Sequence, residues 1–246
     1  MDKLLLQIFA TLLVFIGVVF GIANSAIKDK KFICNRYILN TYLYIILTIN
    51  IIALQVLIMR YFNIDFNVNY FIIIGIFLLI VACIIALNKI DPRKIILKHF
   101  VWLIFILLFG LLFYPMYLVY SNYKGVILSA ILTTLLLFIG LSLVAYLKPE
   151  LISLSWGPIL FVFLGMGILM ELLMFVVFKN YNSSKWVRIM SYFFIGLFMI
   201  YILYDTKRLQ INAKQCIVAD YISESLSLFL DIWNVFVRLL SLSGTK

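Results

Sequence analysis

Eight long and almost uncharged apolar runs dominate the sequence and decide its fold class. A helix needs about 20 mostly apolar residues to cross a bilayer. The runs have that length and cover approximately residues 4–26, 37–59, 68–88, 99–120, 125–147, 154–178, 186–206 and 219–242. Apolar residues make up 66% of the chain and charged residues only 12%, which is outside the range of soluble domains. The pattern predicts an all-α polytopic membrane protein whose short connections leave no room for a soluble domain.

The basic residues indicate how the helices are oriented in the membrane. The net charge of +10 would suit a nucleic-acid-binding protein. Most of the basic residues, however, fall in alternate connections, as the positive-inside rule requires of cytoplasmic loops. We therefore expect no nucleic-acid partner and a cytoplasmic face that holds Lys28, Lys30, Lys31, Arg36, Lys89, Arg93, Lys94, Lys98, Lys148, Lys207, Arg208 and Lys214.

The first apolar run can be interpreted in two ways. Lys3, the apolar core and the small residues before residue 27 resemble a secretory signal peptide. The core is longer than the usual 7–15 residues of a signal, however, and a dense basic loop follows it. We favour a retained helix with its N-terminus outside. The predicted organisation is an N-terminal hydrophobic segment with a basic loop at 1–34, and a seven-helix transmembrane domain at 35–246.

The last run carries a continuous polar stripe, which predicts its place in the bundle. Polar residues recur there at alternating spacings of four and three, which places them on one helix face: Asp220, Glu224, Ser227, Asp231, Asn234, Arg238 and Ser241. A carboxylate facing lipid at the bilayer centre costs about 2.5–3.5 kcal/mol on insertion scales. The stripe therefore faces other helices or a watery cavity, and we predict that this helix is the central one.

Two aspartates on the last two helices are the strongest candidates for a functional site. Asp205 ends one helix, with Tyr201 one turn before it, and Asp231 lies within the next. The basic and polar residues 207–218 are expected to form the linker between these helices. Consecutive helices are usually neighbours, so the two carboxyl groups are expected to approach each other. Two buried carboxylates in contact share a proton, and their ionised form attracts a hard cation such as Ca²⁺. In the alternative, each aspartate pairs with a cation such as Lys89, Lys207 or Arg238.

Two other single residues need an interpretation. Glu171 lies near the middle of the sixth run, where a carboxylate marks a functional site by default. The alternative is a protonated Glu171 that hydrogen-bonds to a neighbouring helix, and the sequence leaves both open. His99 is the only histidine, so we expect an interfacial side chain and no metal site.

The three cysteines show no paired spacing. Cys34, Cys83 and Cys216 lie far apart, which predicts neither a disulfide framework nor a metal site. We expect inert thiols, with acylation of Cys34 and Cys216 as the alternative because both lie near the predicted cytoplasmic face.

Two segments resemble the Bax inhibitor family of seven-helix membrane proteins. The sequence ILYDT at 202–206 is similar to the tyrosine–aspartate motif that ends the sixth helix of that family. DYI at 220–222 and LSLFLDIWNVF at 226–236 are similar to its seventh helix. The chain departs from the family at Lys207, where a glutamine is common, and in 68–88, which lacks an acidic residue found in some members. The run at 4–26 would be an extra helix.

The resemblance implies a pH-regulated Ca²⁺ leak that suppresses apoptosis, with Asp205 and Asp231 as the pH sensor and cation path. In relatives a basic residue near the cytoplasmic end of the second family helix can bind to the sensor, and Lys89 is the nearest match to it here. The other accessory candidates are Glu171, Asn234, Arg238 and Tyr201. The implied partners are Ca²⁺ as the permeant ion, protons, the lipid bilayer and membrane regulators of cell death, with no cofactor. The expected location is the endoplasmic reticulum or Golgi membrane of a eukaryotic host, with a virus as one source, or a bacterial plasma membrane.

Other functions remain open at this point. A non-conducting membrane protein that binds cell-death regulators would keep its protective effect without the two aspartates. A proton-coupled transporter would be favoured by inverted repeats, and none is visible beyond generic hydropathy. An enzyme is not expected, because the sequence has no His-Glu-x-x-His motif and no intramembrane serine–histidine pair.

Overall fold

Eight α-helices make up almost all of the structure, a computed structural model that describes residues 3–28, 31–64, 69–177 and 184–243. Within these residues the helices are α1 Lys3–Ser25, α2 Tyr37–Tyr61, α3 Tyr70–Lys89, α4 Ile95–Ser121, α5 Val126–Leu147, α6 Trp156–Val177, α7 Ser184–Lys214 and α8 Tyr221–Ser243. All eight are long and apolar enough to cross a membrane. The predicted all-α polytopic class is confirmed, and the chain is an integral, multi-pass membrane protein.

The remaining elements are short and lie in the connections. Strands β1 Ile27–Lys28 and β2 Lys31–Phe32 pair antiparallel between α1 and α2. A 3₁₀ turn, Pro149–Leu151, connects α5 to α6. The chain forms two compact units, Met1–Val119 with Gln215–Leu226, and Tyr120–Lys214 with Ser227–Lys246. Helix α8 therefore starts in the first unit and continues in the second.

In the first unit, α1 packs along α2, and α2 packs against α4. The side-chain amide of Gln55 on α2 donates a hydrogen bond of 3.0 Å to the carbonyl oxygen of Leu107 on α4. A Cβ at Gly110 would push against the end of the Gln55 side chain, so glycine at this position leaves the amide its room in the observed arrangement. Gln55 thus joins α2 to α4 through an interhelical hydrogen bond.

In the second unit, α5 and α6 both pack on α7. The shared core joins Leu160 of α6, Phe194, Phe198 and Ile202 of α7, and Val235 of α8. Gly157 at the start of α6 lets the two helices approach closely, because a Cβ there would lie 2.6 Å from the Tyr204 hydroxyl. This packing fixes the end of α7 that carries Asp205.

The helices differ in how much apolar surface they expose. Large apolar side chains are exposed along α3, α5 and α6, for example at Phe71, Leu136 and Phe161, which suits contact with lipid. On α8 both the apolar side and Asp231 of the polar stripe are buried. Among the spans that the structure describes, α8 has the largest buried share, 50% of its most apolar window. This burial supports the central position that the stripe predicts.

Two helices extend beyond the runs that predicted them. Helix α7 continues to Lys214 and not to residue 206, so the predicted linker of 207–218 is wrong over most of its length. The extension contains no Gly or Pro and buries Leu209, which keeps it helical although it is polar. Helix α4 starts at Ile95 and not at residue 99, which places Lys98 inside the helix.

The prediction that the cysteines form no disulfide is wrong. Cys34 and Cys216 are joined by a disulfide, with their Cα atoms 5.8 Å apart and 182 residues between them in sequence. Cys34 precedes α2 and Cys216 precedes α8, and both belong to the first unit. Spacing rules recognise pairs that are close in sequence, whereas here helix packing brings two distant connections together. Cys83 on α3 is a free thiol.

Candidate functional site

Asp205 of α7 and Asp231 of α8 face each other in the second unit. Both are almost fully buried, with exposed fractions of 4% and 5%. The two carboxyl groups are in hydrogen-bonding contact. A hydrogen bond between two carboxyl groups requires that one of them carries a proton, so this geometry suits a pair that shares one proton. The structure therefore brings together the two residues that the sequence singled out.

The two members of this pair have different surroundings. The Ser227 hydroxyl donates a hydrogen bond to Asp205 Oδ2, and Arg208 Nη1 lies 3.4 Å from Asp205 Oδ1. Arg208 Nη2 also donates a 3.2 Å hydrogen bond to Ser227 Oγ. Among the residues that the structure describes, no group donates a hydrogen bond to Asp231 Oδ2. Asp205 thus has a hydroxyl donor and a guanidinium of its own, while Asp231 has Asp205 as its partner.

Tyr201, one turn before Asp205, also belongs to this site. Its phenol interacts electrostatically with both carboxylates. Asn234, which lies on the same stripe of α8, donates its amide to the Leu230 carbonyl oxygen at 2.8 Å. Its side-chain carbonyl oxygen adds an uncharged ligand atom to the stripe, of the kind that hard cations accept.

A second pair of charges lies two turns further along α8. Arg238 makes a two-pronged ion pair with Glu171 of α6, in which Nη2 and Oε2 are 2.9 Å apart and Nη1 contacts Oε1. The guanidinium carbon lies 4.2 Å from the centroid of the Phe194 ring, a cation–π contact. One alternative from the sequence was a protonated Glu171 that hydrogen-bonds to a neighbouring helix. Glu171 does bond to a neighbouring helix, but its partner there is the cation Arg238. Arg238 is the partner of Glu171, whereas the cation beside Asp205 is Arg208.

The other basic candidates lie elsewhere. Lys207 directs its ammonium to the carbonyl oxygen of Ile152, so it serves the α5–α6 connection. Lys89 is an exposed residue at the end of α3 in the first unit. Neither contributes to the immediate surroundings that the structure gives the aspartate pair.

Asp220 and His99 lie in the first unit and take structural roles. Asp220 Oδ1 accepts the backbone N–H of Ser223 and so caps α8, while Oδ2 lies 2.5 Å from the ammonium of Lys98. The Lys98 side chain is only 1% exposed, so the ammonium is removed from solvent at this helix start. His99 Nδ1 donates to the Ile95 carbonyl oxygen, which leaves Nε2 to accept the Tyr44 hydroxyl at 2.8 Å. His99 is therefore half-buried within a hydrogen-bonded group.

Arg208 and Ser227 were not among the predicted site residues. Arg208 was assigned to a linker, although the three-residue spacing from Asp205 would have placed it beside that carboxylate on a continuous helix. Ser227 was noted only as part of the stripe. Among the described residues, no group of three or more His, Cys, Asp or Glu residues lies together as metal ligands. Two carboxylates alone suit a passing cation better than a resident one.

The fold and this site define a multi-pass α-helical membrane protein with a buried carboxylate pair between its last two helices. The family model described as inhibitor of apoptosis-promoting Bax1 matches residues 34–246. The chain therefore belongs to the Bax inhibitor family, and α1 precedes the matched region. No curated protein sequence matches the chain significantly. The family consists generally of non-enzymatic membrane proteins, and membership points to suppression of apoptosis.

Proposed function

We propose that this protein suppresses apoptosis as a proton-regulated Ca²⁺ leak, with Asp205 and Asp231 as the sensor and cation site. The observation that carries the proposal is the contact between these two buried carboxyl groups on α7 and α8. A buried charge is costly, and a buried pair of like charges is more so. A protein gains nothing in stability from such a pair, which supports a functional role for it.

The proton count of the pair controls how α7 and α8 are held together. With one shared proton, Asp205 keeps its charge next to Arg208 and Ser227, and Asp231 donates to it. Loss of that proton brings two negative charges into contact, and they repel each other. A second proton removes the charge that faces Arg208. Either change removes an interaction that joins the two helices, and this is how pH alters the leak.

The same oxygen atoms attract the permeant ion. Ca²⁺ prefers carboxylate and carbonyl oxygens, and the polar stripe of α8 supplies both. Arg238 lies seven residues beyond Asp231, which is about 10 Å along the helix. Its pairing with Glu171 neutralises a positive charge that would otherwise repel a cation on the stripe. Glu171 and Arg238 thus form a second control point, and Lys89 stays an accessory candidate.

The membrane in which the leak operates follows from the same proposal. A Ca²⁺ leak suppresses cell death by lowering the Ca²⁺ content of an internal store, so the expected site is the endoplasmic reticulum or Golgi membrane of a eukaryotic host. In a bacterial plasma membrane the same site would regulate Ca²⁺ entry. Membrane regulators of cell death are further candidate partners.

Ca²⁺ flux through the purified protein in liposomes tests the proposal. We expect flux above that of protein-free liposomes, and it should change between mildly acidic and mildly alkaline pH. Asp205→Asn should flatten the pH response, whereas the matched variant Asp91→Asn, at an exposed turn, should not. Absence of flux from correctly inserted protein would contradict the leak and favour a non-conducting interaction protein.

A further inference from the structure

The disulfide between Cys34 and Cys216 ties the linker between α7 and α8 to the connection between α1 and α2. Cys216 is in the six-residue linker between α7, which carries Asp205, and α8, which carries Asp231. Cys34 is in the connection between α1 and α2. Both cysteines are only half-buried, so neither residue is enclosed in the core. The disulfide thus covalently restrains the linker between the two helices of the sensor.

The charges around the disulfide indicate the compartment that it faces. Arg36 lies two residues after Cys34, and Lys214 lies two residues before Cys216. Both belong to the connections that the positive-inside rule assigns to the cytoplasmic face. The cytosol is reducing, and the disulfides that occur there are usually transient and redox-sensing. A disulfide on this face is therefore exposed to reduction, and its basic surroundings attract anionic thiols.

Other contacts hold the same region when the disulfide is open. The Tyr221 hydroxyl donates to the Ile33 carbonyl oxygen, directly beside Cys34. The backbone N–H of Asp220 donates to the Tyr37 hydroxyl at 3.4 Å, and Asp220 pairs with Lys98. These contacts are all within the first unit. They keep the two connections together after reduction, so the thiols can close again.

We propose that Cys34 and Cys216 form a reversible thiol–disulfide site on the cytoplasmic face, with a small anionic thiol and its disulfide as co-reactants. In reduction, an external thiolate attacks one sulfur and releases the other as a thiolate, which takes up a proton. A second external thiolate then attacks the mixed disulfide. This second exchange releases the second cysteine as a thiol and forms one molecule of external disulfide. In total, two electrons pass from the external thiols to the protein disulfide. Oxidation runs through the same steps in reverse.

Regulation of the leak by this site rests on the function proposed above. In the oxidised state the linker is fixed at Cys216, which limits how far α7 and α8 can move apart. In the reduced state only the non-covalent contacts hold the linker. Helices α7 and α8 can then move further when the carboxylate pair gains or loses a proton. Reduction should therefore make the leak respond more steeply to pH, without changing the residues that sense it.

Thiol labelling tests the site independently of any flux. A Cys83→Ser protein in liposomes is equilibrated with glutathione buffers of graded thiol-to-disulfide ratio, and free thiols are then counted with a maleimide. We expect two thiols to appear together within the range of ratios found in the cytosol. A membrane-impermeant reductant should act only from the side that carries the basic connections. Resistance to reduction in the folded protein, or access only from the opposite side, would overturn the proposal.

Flux measurements on the same liposomes test the regulatory step. Reduced Cys83→Ser protein should show a severalfold larger change of leak across the pH range than oxidised protein. The double variant Cys34→Ser, Cys83→Ser should show the same pH response as the reduced form, and added reductant should not change that response. Equal pH responses in both redox states would contradict the regulation. Normal thiol exchange without any leak would instead contradict the leak function and leave the thiol site established.

Discussion

Two aspartates, Asp220 directly before α8 and Asp231 within it, show how differently the same residue type is used. In the first unit, Asp220 faces the buried ammonium of Lys98 and caps the helix, so the two charges of this contact are opposite. In the second unit, Asp231 faces another carboxyl group, and the cation beside the pair, Arg208, contacts Asp205. The first arrangement pairs opposite charges and has a structural role. In the proposed function the second arrangement depends on a proton, and this difference separates a structural pair from a sensor.

Lys98→Met should give the largest loss of stability. The substitution keeps most of the buried volume but leaves Asp220 without its cation, and breaking one side of a buried pair costs about 3 kcal/mol. Thermal unfolding in detergent should show a clear fall in melting temperature, and a second substitution, Asp220→Asn, should recover part of it. The exposed Lys94→Met is the matched control. Equal melting temperatures for the two lysine variants would show that the pair in the first unit is not structural.

Glu171→Gln should have an intermediate effect. The ion pair with Arg238 is about one-fifth exposed on each side, so its loss should cost about 1 kcal/mol. The uncompensated guanidinium should also repel Ca²⁺ and lower the leak. Flux and melting measured beside Glu150→Gln, an exposed carboxylate in the same unit, check both effects. An unchanged leak would remove Glu171 and Arg238 from the cation path.

Arg208→Gln should change the pH response more than the stability. Arg208 is more than one-third exposed, so the energetic contribution of its pair with Asp205 is small. Removal of a cation beside a carboxylate makes the ionised form less favourable, so the midpoint of the leak should move to higher pH. The pH profile of flux measures this shift, with Arg93→Gln in an exposed turn as control. A midpoint that stays in place would mean that Arg208 does not act on the sensor.

Asp231→Asn should have the smallest effect on stability. The asparagine amide can donate to Asp205 in place of the shared proton, so the free energy of unfolding should change by less than about 1 kcal/mol. Thermal unfolding of this variant and of Lys98→Met compares the loss of stability in the two units directly. A loss as large as that of Lys98→Met would show that the carboxylate pair is structural as well.

The sequence predicted those features that depend on pattern within one helix. Hydropathy located all eight spans, because each run has the length that a bilayer imposes. The stripe on α8 identified Asp231 and its central helix, since a regular polar face in an apolar run has few alternatives.

Features that depend on distant parts of the chain were not predicted. The pairing of Cys34 with Cys216 joins two connections, and that of Lys98 with Asp220 joins α4 to the start of α8. Helix packing brings these distant parts of the chain together, which no spacing rule encodes. Arg208 was missed for a local reason. Hydropathy marks where a helix leaves the apolar region and not where it ends, so the polar extension of α7 was interpreted as a linker.

The pH profile of Ca²⁺ flux for Asp231→Asn, beside wild type and Asp91→Asn, tests the central claim most directly. We expect that wild type and Asp91→Asn change their leak with pH, while Asp231→Asn leaks at a rate that no longer depends on pH. A pH response that persists in Asp231→Asn would contradict the account and place the sensor elsewhere in the protein.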